Sequence, residues 1–231
     1  MPHPPAERED SHLMREMFHR VAPRYDFITR VFSYGMDRRW KRECVERALL
    51  PKNPLILDLA CGTGDFSALV SACRPLANTV AVDLTERMLR LAGERVRHKL
   101  CADAARLPFS NGCFDCVFVG YGLRNFGNLR LALNEIGRVT RPGGMLVSLD
   151  FFLPANPFLR ALYLGYLYAQ GAFWGMVLHR RTRIYTYIPH SLRCFVSIDE
   201  FTKLLRGTGY HRVKARSFIL GGIGLHWAAK E

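Results

Sequence analysis

Acidic residues are scarce in this chain, and scarcest toward its end. Residues 151–231 hold three Asp and Glu against eleven Lys and Arg, and the whole chain of 231 residues carries a formal charge of +13. A field of that sign suits nucleic acid, an anionic membrane surface or an acidic substrate, beside the plain alternative of a soluble basic surface. Paired cysteines are missing too. The seven present are odd in number and scattered through apparent helices and strands, which excludes a secreted disulfide framework and points to a reducing compartment. Cys113 and Cys116 form a lone C-x-x-C that runs into a strand, with no second pair and no histidine at metal spacing, so they read as packing. The eight histidines show no H-x-x-x-H pattern, and no metal site is expected. The N-terminus opens on prolines and charges without the apolar core of a signal peptide, so export by that route is not expected. Internal repeats are absent, and low complexity ends with the first ten residues, which leaves one folded body behind a loose polar tail.

What is present is organised around residues 55–65, Leu-Ile-Leu-Asp-Leu-Ala-Cys-Gly-Thr-Gly-Asp. An apolar run that ends in Asp58 and breaks into Gly62-Thr63-Gly64 predicts a buried strand, a tight turn and the first turn of a helix. Glycines let the backbone approach a ligand closely, and the helix turns unpaired N–H groups toward the carboxyl edge of the sheet. The dinucleotide fingerprint asks for a third glycine three residues after Gly64; Ser67 stands there, which disfavours a pyrophosphate clamp. A second run, residues 79–82, ends in Asp83, and a third, 99–102, ends in Asp103. Each acid alone would read as a helix cap or a strand-end turn. Three of them in register would line one crevice facing a ligand with hydroxyls and amines and no phosphates. S-adenosylmethionine is such a ligand: Asp83 would accept from its ribose hydroxyls, Asp103 from the adenine amine, and Asp58 with the turn backbone would hold the methionine end.

Along the chain, residues 7–20 carry Leu13, Met14, Met17 and Phe18 at helical spacing, and Pro23 ends that helix. Residues 24–35 are unusually aromatic and read either as a layer packed on the core or as a lid over the crevice. A helix is predicted over 37–49, burying Trp40, Cys44, Val45 and Ala48. Helices over 65–73 and 85–96 then alternate with the strands, the latter capped by Thr85. Residues 107–112 read as loop and turn, 114–120 as the fourth strand, 129–139 as a helix, 141–144 as a turn and 145–151 as the fifth strand. This alternation predicts a mostly parallel, doubly wound sheet. Residues 154–178 break the rhythm. They carry thirteen large apolar or aromatic side chains with one arginine, followed by Arg180, Arg181 and Arg183, and fit an interfacial or substrate-covering insert better than a membrane span. A helix over 197–206 capped by Ser197 and strands over 210–217 and 223–230 close the chain as an antiparallel pair.

Taken together, Asp58-x-x-Cys61-Gly62-Thr63-Gly64-Asp65, Asp83, Asp103, Leu107-Pro108-Phe109 and Arg138-Val139-x-Arg141-Pro142-Gly143-Gly144 resemble the class I S-adenosylmethionine-dependent methyltransferases. Phe18-x-x-x-Ala22-x-x-Tyr25-Asp26, Gly122-Leu123-Arg124-Asn125, Tyr187-x-Pro189-x-Ser191 and Gly221-Gly222-Ile223-x-Leu225-His226 narrow this to a resemblance to the ubiquinone/menaquinone-biosynthesis C-methyltransferases, the UbiE/MenG type. The resemblance implies a Rossmann-like α/β fold with a mostly parallel seven-stranded sheet, an antiparallel C-terminal strand, N-terminal helices and a helical insert after strand five. One domain, 1–231, would then comprise a helical layer or lid (1–50), a cofactor-binding core (51–151), the insert (152–196) and a closing helix with strands (197–231). It implies C-methylation of a polyprenylated benzoquinol or naphthoquinol, S-adenosylmethionine as cofactor held by Asp58, Gly62, Thr63, Gly64, Asp83, Leu84, Asp103 and Ala104, and Tyr25, Arg124 and Asn125 facing the methyl-transfer site. It also implies a cytoplasmic protein peripheral to the inner face of the membrane, leaves room for a homodimer, and calls for no nucleic acid.

A hydroquinone ring carbon is a poor nucleophile until an adjacent hydroxyl, with a pKa near 10, loses its proton, so the site must stabilise a phenolate or supply a base. Arg124 is too basic to be a plain proton acceptor; with Asn125 it would orient a hydroxyl or water and stabilise negative charge. Tyr25, Tyr187 or His226 could relay the proton, and the residues do not choose among them. A soluble phenol or polyketide as substrate, RNA as substrate, and a catalytically silent cofactor-binding subunit are the competing readings; no stacking-aromatic platform accompanies the basic residues, which disfavours RNA.

Overall fold

A computed structural model describes residues 22, 25–179, 187–193 and 195–231, without the side chains of Tyr25, Asp26, Ile28, Tyr187 and residues 177–179. The 7–20 helix, Arg180, Arg181 and Arg183 lie outside the described residues.

Seven strands form one sheet: β1 (Leu55–Leu59), β2 (Asn78–Asp83), β3 (His98–Cys101), β4 (Phe114–Gly120), β5 (Thr140–Phe151), β6 (Tyr210–Phe218) and β7 (Ile223–Lys230), in the order β3-β2-β1-β4-β5-β7-β6. The order reverses beside β1, which pairs in parallel with both β2 and β4. That reversal opens a crevice at the carboxyl ends of these strands, where α/β sheets bind ligands. β7 alone runs against its neighbours, pairing antiparallel with both β5 and β6. The central strands are apolar runs because both of their faces are covered: all but the last residue of β4, Phe-Asp-Cys-Val-Phe-Val-Gly, are buried.

One face is covered by α1 (Tyr25–Phe32), α2 (Asp37–Arg47), α3 (Asp65–Cys73), α6 (Pro157–His179) and α7 (Tyr187–Arg193), through a cluster containing Phe32, Trp40, Phe66, Phe118, Val147, Tyr163, Leu167 and Leu192. Next to it, α4 (Glu86–Ala92) buries Leu89 and Ala92 against Cys61 and Ala81. The other face is covered by α5 (Leu129–Val139) and α8 (Ile198–Arg206), through Leu57, Leu133, Ile136, Phe201 and Leu205. In the aromatic 24–35 segment, Phe32 enters the core, while Phe27 meets Trp174 edge-on at 5.3 Å and Tyr34 stacks on Tyr166 at 5.6 Å, both on α6.

Four local readings are adjusted. The 37–49 helix ends at Arg47. The 85–96 helix ends at Ala92, where Gly93 takes φ +54° and a short 3-10 turn follows. Thr85 occupies the N-cap position, but its side chain makes no cap bond; it is turned to the Asp83 carboxylate instead. Residues 141–144 do not stand apart as a turn before the fifth strand. They belong to β5 as a bulge, since Phe114 pairs with Thr140 and Cys116 with Met145, and Gly143 at φ +74° takes up the bend. The Ser197 cap is present as a full capping box, with the Ser197 N–H donating to Glu200 Oε2 at 2.7 Å and the Glu200 N–H to Ser197 Oγ at 3.3 Å.

The crossover from β3 to β4 contains no helix and is fastened by two side chains of α5. Arg138 on α5 donates to the carbonyls of Leu107 and Phe109 at 2.8 and 2.7 Å and pairs with Glu135, whose carboxylate accepts from the Leu107 N–H at 2.8 Å. Among the described residues no helix is long and apolar enough to cross a membrane.

Candidate active site

Between β1 and α3 the chain needs left-handed backbone: Gly62 has φ +54° and Gly64 φ +82°. A side chain at Gly64 would also place its Cβ 2.6 Å from Val96 Cγ2, so only glycine suits that position. The turn is held from two sides. Cys61 N–H donates to the Val82 carbonyl at 3.0 Å and Gly64 N–H to the Cys61 carbonyl at 2.9 Å. Asp83, at the end of β2, reaches across to accept the Gly62 N–H on Oδ2 at 2.9 Å, and its Oδ1 accepts the Thr85 N–H at 2.8 Å. Asp83 thus shapes the turn. Burial raises its pKa, and the bonds from Gly62 and Thr85 act the other way.

Asp58 lies deeper, 1 % exposed, and Oδ2 accepts both the N–H and the hydroxyl of Ser67, at 2.9 and 2.6 Å. Ser67, which sequence reasoning noted only as a missing glycine, is therefore the residue that ties α3 to β1. Asp103 sits two residues past β3, exposed, with Oδ1 accepting the Ala105 N–H at 2.9 Å; Ala104 beside it is buried, and Leu84 after Asp83 is half-buried. Thr63 is buried within the turn. Asp83 holds the glycine turn itself and Asp58 the first turn of the helix that follows it, while Asp103 lies exposed two residues past β3.

Burial pushes the Asp58 carboxyl up to about 6, against 3.8 for the free side chain. The folded state therefore holds a proton more tightly than the unfolded chain does, and ionising Asp58 opposes folding. No penalty exists below about pH 4; it grows as pH rises through 6 and reaches about 3 kcal/mol at neutrality. Asp58→Asn keeps an acceptor for Ser67 and removes that penalty. Urea unfolding at pH 5 and pH 7.5 should show the variant gaining stability on the wild type at the higher pH; a wild-type advantage that is larger at pH 7.5 would contradict the assignment.

Lys41, on the inner side of α2, was overlooked because a basic residue at a helical core position reads as surface. It is buried, its Nζ is 2.8 Å from Asp65 Oδ2 and 3.4 Å from Asp37 Oδ2, and it lies over the rings of Phe66 and Tyr121 at 5.9 and 5.7 Å. The N-terminal layer is thereby fastened to the first turn of α3.

After β4, Tyr121 takes φ +59° and leads into a 3-10 turn, Leu123–Asn125. The Tyr121 carbonyl accepts from Arg124 Nη1 at 3.1 Å and from Asn125 Nδ2 at 3.2 Å. Arg124, with its side chain 5 % exposed, also donates to Asp150 Oδ1 at 2.5 Å and stacks over Phe151 at 5.0 Å. Tyr163 of α6 donates its hydroxyl to the Gly222 carbonyl at 2.8 Å. A Cβ at Gly222 would lie 2.6 Å from that ring, which is why glycine stands there.

Of the three proton-relay candidates, the side chains of Tyr25 and Tyr187 lie outside the described residues. His226 is 1 % exposed, enclosed by Phe152 and Phe201, with Nε2 3.3 Å from the Ile198 carbonyl. Burial pulls its pKa down to about 4, so it is a neutral core histidine under α8. Cys116 is fully buried, and burial raises the thiol pKa of both Cys113 and Cys116.

Known proteins match this chain over nearly its full length. The chain is 35 % identical over 222 residues to the ubiquinone/menaquinone biosynthesis C-methyltransferase UbiE of Desulfotalea psychrophila, covering 94 % of this chain and 90 % of that one. It is 36 % identical over 216 residues to the demethylmenaquinone methyltransferase of Thermus thermophilus, covering 91 % and 98 %. Among solved structures, the fold matches phosphoethanolamine N-methyltransferase 2 of Haemonchus contortus, in complex with phosphomonomethylethanolamine and S-adenosylhomocysteine, at a TM-score of 0.67 with 14 % identity, covering 94 % of this chain and 60 % of that one. Residues 6–230 match the ubiE/COQ5 methyltransferase family. A Rossmann-like methyltransferase sheet with its acid-lined glycine turn, carried by a sequence this close to such relatives, makes the chain a methyltransferase that belongs to the ubiE/COQ5 family.

Proposed function

We propose that this chain methylates a ring carbon of a polyprenylated quinol in respiratory quinone biosynthesis, with S-adenosylmethionine as methyl donor. The observation that carries the reading is the nearness of two unlike turns, a glycine turn beside carboxylates and a half-buried Arg124–Asn125 turn: the segments that lead into them pack so closely that a Cβ on Gly122 would lie 2.6 Å from Ala60 Cβ. The donor set of the first fits the cofactor. Carboxylates stand beside that turn, which suits hydroxyls and a cation and repels phosphate, and the turn itself is built on left-handed glycine backbone at Gly62 and Gly64. Asp58, Gly62, Thr63, Gly64, Asp83, Leu84, Asp103 and Ala104 are the residues that would hold it.

When bound, the cofactor supplies an electrophilic methyl group on a sulfonium, open to in-line displacement by a carbon nucleophile. The residues of this chain must then hold the ring perpendicular to that line and keep its hydroxyl ionised. Arg124 and Asn125 serve that need by donating to the developing phenolate. Tyr25 joins them as a candidate on the resemblance alone. The test is transfer of labelled methyl from the cofactor to demethylmenaquinol, to a ubiquinone-pathway benzoquinol, to a soluble phenol and to RNA; activity on phenol or RNA with none on either quinol would overturn the proposal.

A long isoprenoid tail keeps such a substrate in the bilayer, since each CH2 is worth about 0.8 kcal/mol, so the enzyme goes to the membrane. In support, α6 leaves Phe158 70 %, Leu162 56 %, Phe173 55 % and Met176 58 % exposed, next to Phe27 and Tyr34. Apolar and aromatic side chains on a basic protein favour an anionic interface. Vesicle cosedimentation is expected to rise with anionic lipid and fall with salt, and Arg180→Glu with Arg181→Glu to weaken it without changing methylation of a short-tailed quinol. Absence of binding to both neutral and anionic vesicles would reduce α6 to a pocket cover.

A further inference from the structure

Asp150 is a fourth acid at the carboxyl end of a strand, at the close of β5, and it takes no part in the cofactor set. It is 0 % exposed. Three donors converge on it: the Leu123 N–H on Oδ2 at 2.7 Å, Arg124 Nη1 on Oδ1 at 2.5 Å, and its neighbour's Phe151 N–H on Oδ1 at 2.8 Å. Two of the three come from the turn that carries Arg124 and Asn125. That turn is a three-residue 3-10 segment, too short to hold its own shape, and it is entered through Tyr121 in left-handed backbone.

We propose that Asp150 is the positioning residue of the methyl-transfer turn: by binding Arg124 Nη1 and the Leu123 N–H together, it fixes the direction of the Arg124 guanidinium and lets that charge stay dry. The proposal rests on the reading of Arg124 as a donor to the substrate oxygen. A guanidinium is a rigid fork, so bonds from one arm to Asp150 and the Tyr121 carbonyl, with the plane stacked on Phe151, leave it little rotational freedom. An arginine so held is aimed before substrate arrives, which is the condition under which a donor helps the transition state more than the ground state. Asp150 touches no reacting atom; it acts through Arg124. The same carboxylate balances the buried cation, which an apolar strand end could not do.

The test is a kinetic cycle on the full chain with S-adenosylmethionine and demethylmenaquinol, using Asp150→Asn, Arg124→Met and the double variant. Expected is a roughly tenfold fall in kcat for Asp150→Asn with KM for the cofactor within twofold of wild type, and less than twofold further loss when Asp150→Asn is added to Arg124→Met. A full tenfold loss in the Arg124→Met background would overturn the proposal, because Asp150 would then act independently of Arg124. A parallel tenfold loss of S-adenosylhomocysteine affinity would overturn it as well, making Asp150 general scaffold. Should Asp150→Asn not fold, Asp150→Glu keeps the charge and shifts the carboxylate by one methylene; kcat at the wild-type level in that variant would count against fixed aim. The Arg124 side-chain NMR signal gives a readout without turnover: slow-exchanging guanidinium protons in the wild type, lost in whichever Asp150 variant keeps a folded spectrum. Wild type inactive on every quinol would sink the functional reading, while retained guanidinium protection in the variant would sink this one.

Discussion

Replacing Asn125 by alanine should lower the single-turnover methylation rate by about a hundredfold and leave cofactor affinity unchanged. Loss of one preorganised donor to a developing oxyanion has that size. Asn125 is suited to the part: its amide is held to the Tyr121 carbonyl at 3.2 Å, a bond that fixes the side chain beside Arg124, which donates to the same carbonyl. That bond ties it to the segment after β4, whereas the glycine turn is held by Asp83 through the Gly62 N–H. Rapid-quench turnover with calorimetric titration of S-adenosylhomocysteine separates the two effects. An equal loss in both would move the Leu123–Asn125 turn into the cofactor seat.

Asp83→Ala should weaken cofactor binding at least a hundredfold with the fold intact. Two contributions add. Charge-assisted bonds to a pair of ribose hydroxyls are worth roughly 1.5–3 kcal/mol each. The same carboxylate orders the turn through the Gly62 and Thr85 N–H groups, so alanine also loosens the seat. Asp83→Asn separates them, because an amide oxygen can keep one of those N–H bonds while losing the charge; its affinity should fall between the other two. Calorimetry giving wild-type affinity for Asp83→Ala would end the assignment.

The parts of this fold and site that could be read in the sequence are those written in adjacent residues. The Leu55–Leu59 run into Gly62 and Gly64, the acids closing successive strands, and Ser197 three residues before Glu200 each carry their physics within a few positions. Asp150, Ser67 and Lys41 do not. Asp150 is one acid in an apolar run, and its meaning depends on Arg124, twenty-six residues away. Ser67 depends on Asp58 across a turn, and Lys41 on Asp65 in another helix. The 141–144 bulge was missed for a related reason: Pro and Gly signal a break, and only the β4 partner decides whether the break ends a strand or bends it. His226 stood out as a titratable group, yet the rings of Phe152 and Phe201 that neutralise it arrive from two other elements.

The two outer strands of the sheet have a bearing on how the protein keeps its own company. Strand β3 reads His-Lys-Leu-Cys, and β6 presents His211, Arg212, Lys214 and Arg216 to solvent, with its register broken between His211 and Lys214 and Arg212 in left-handed backbone at φ +48°. An open strand edge is a template for another copy to add to, and lysine or arginine along it, or a bulge within it, makes that addition unfavourable. Part of the +13 charge is thus spread along both rims, where like charges would meet if two molecules approached edge to edge. The residues that make the chain basic also disfavour the addition of further strands to the edges of its sheet.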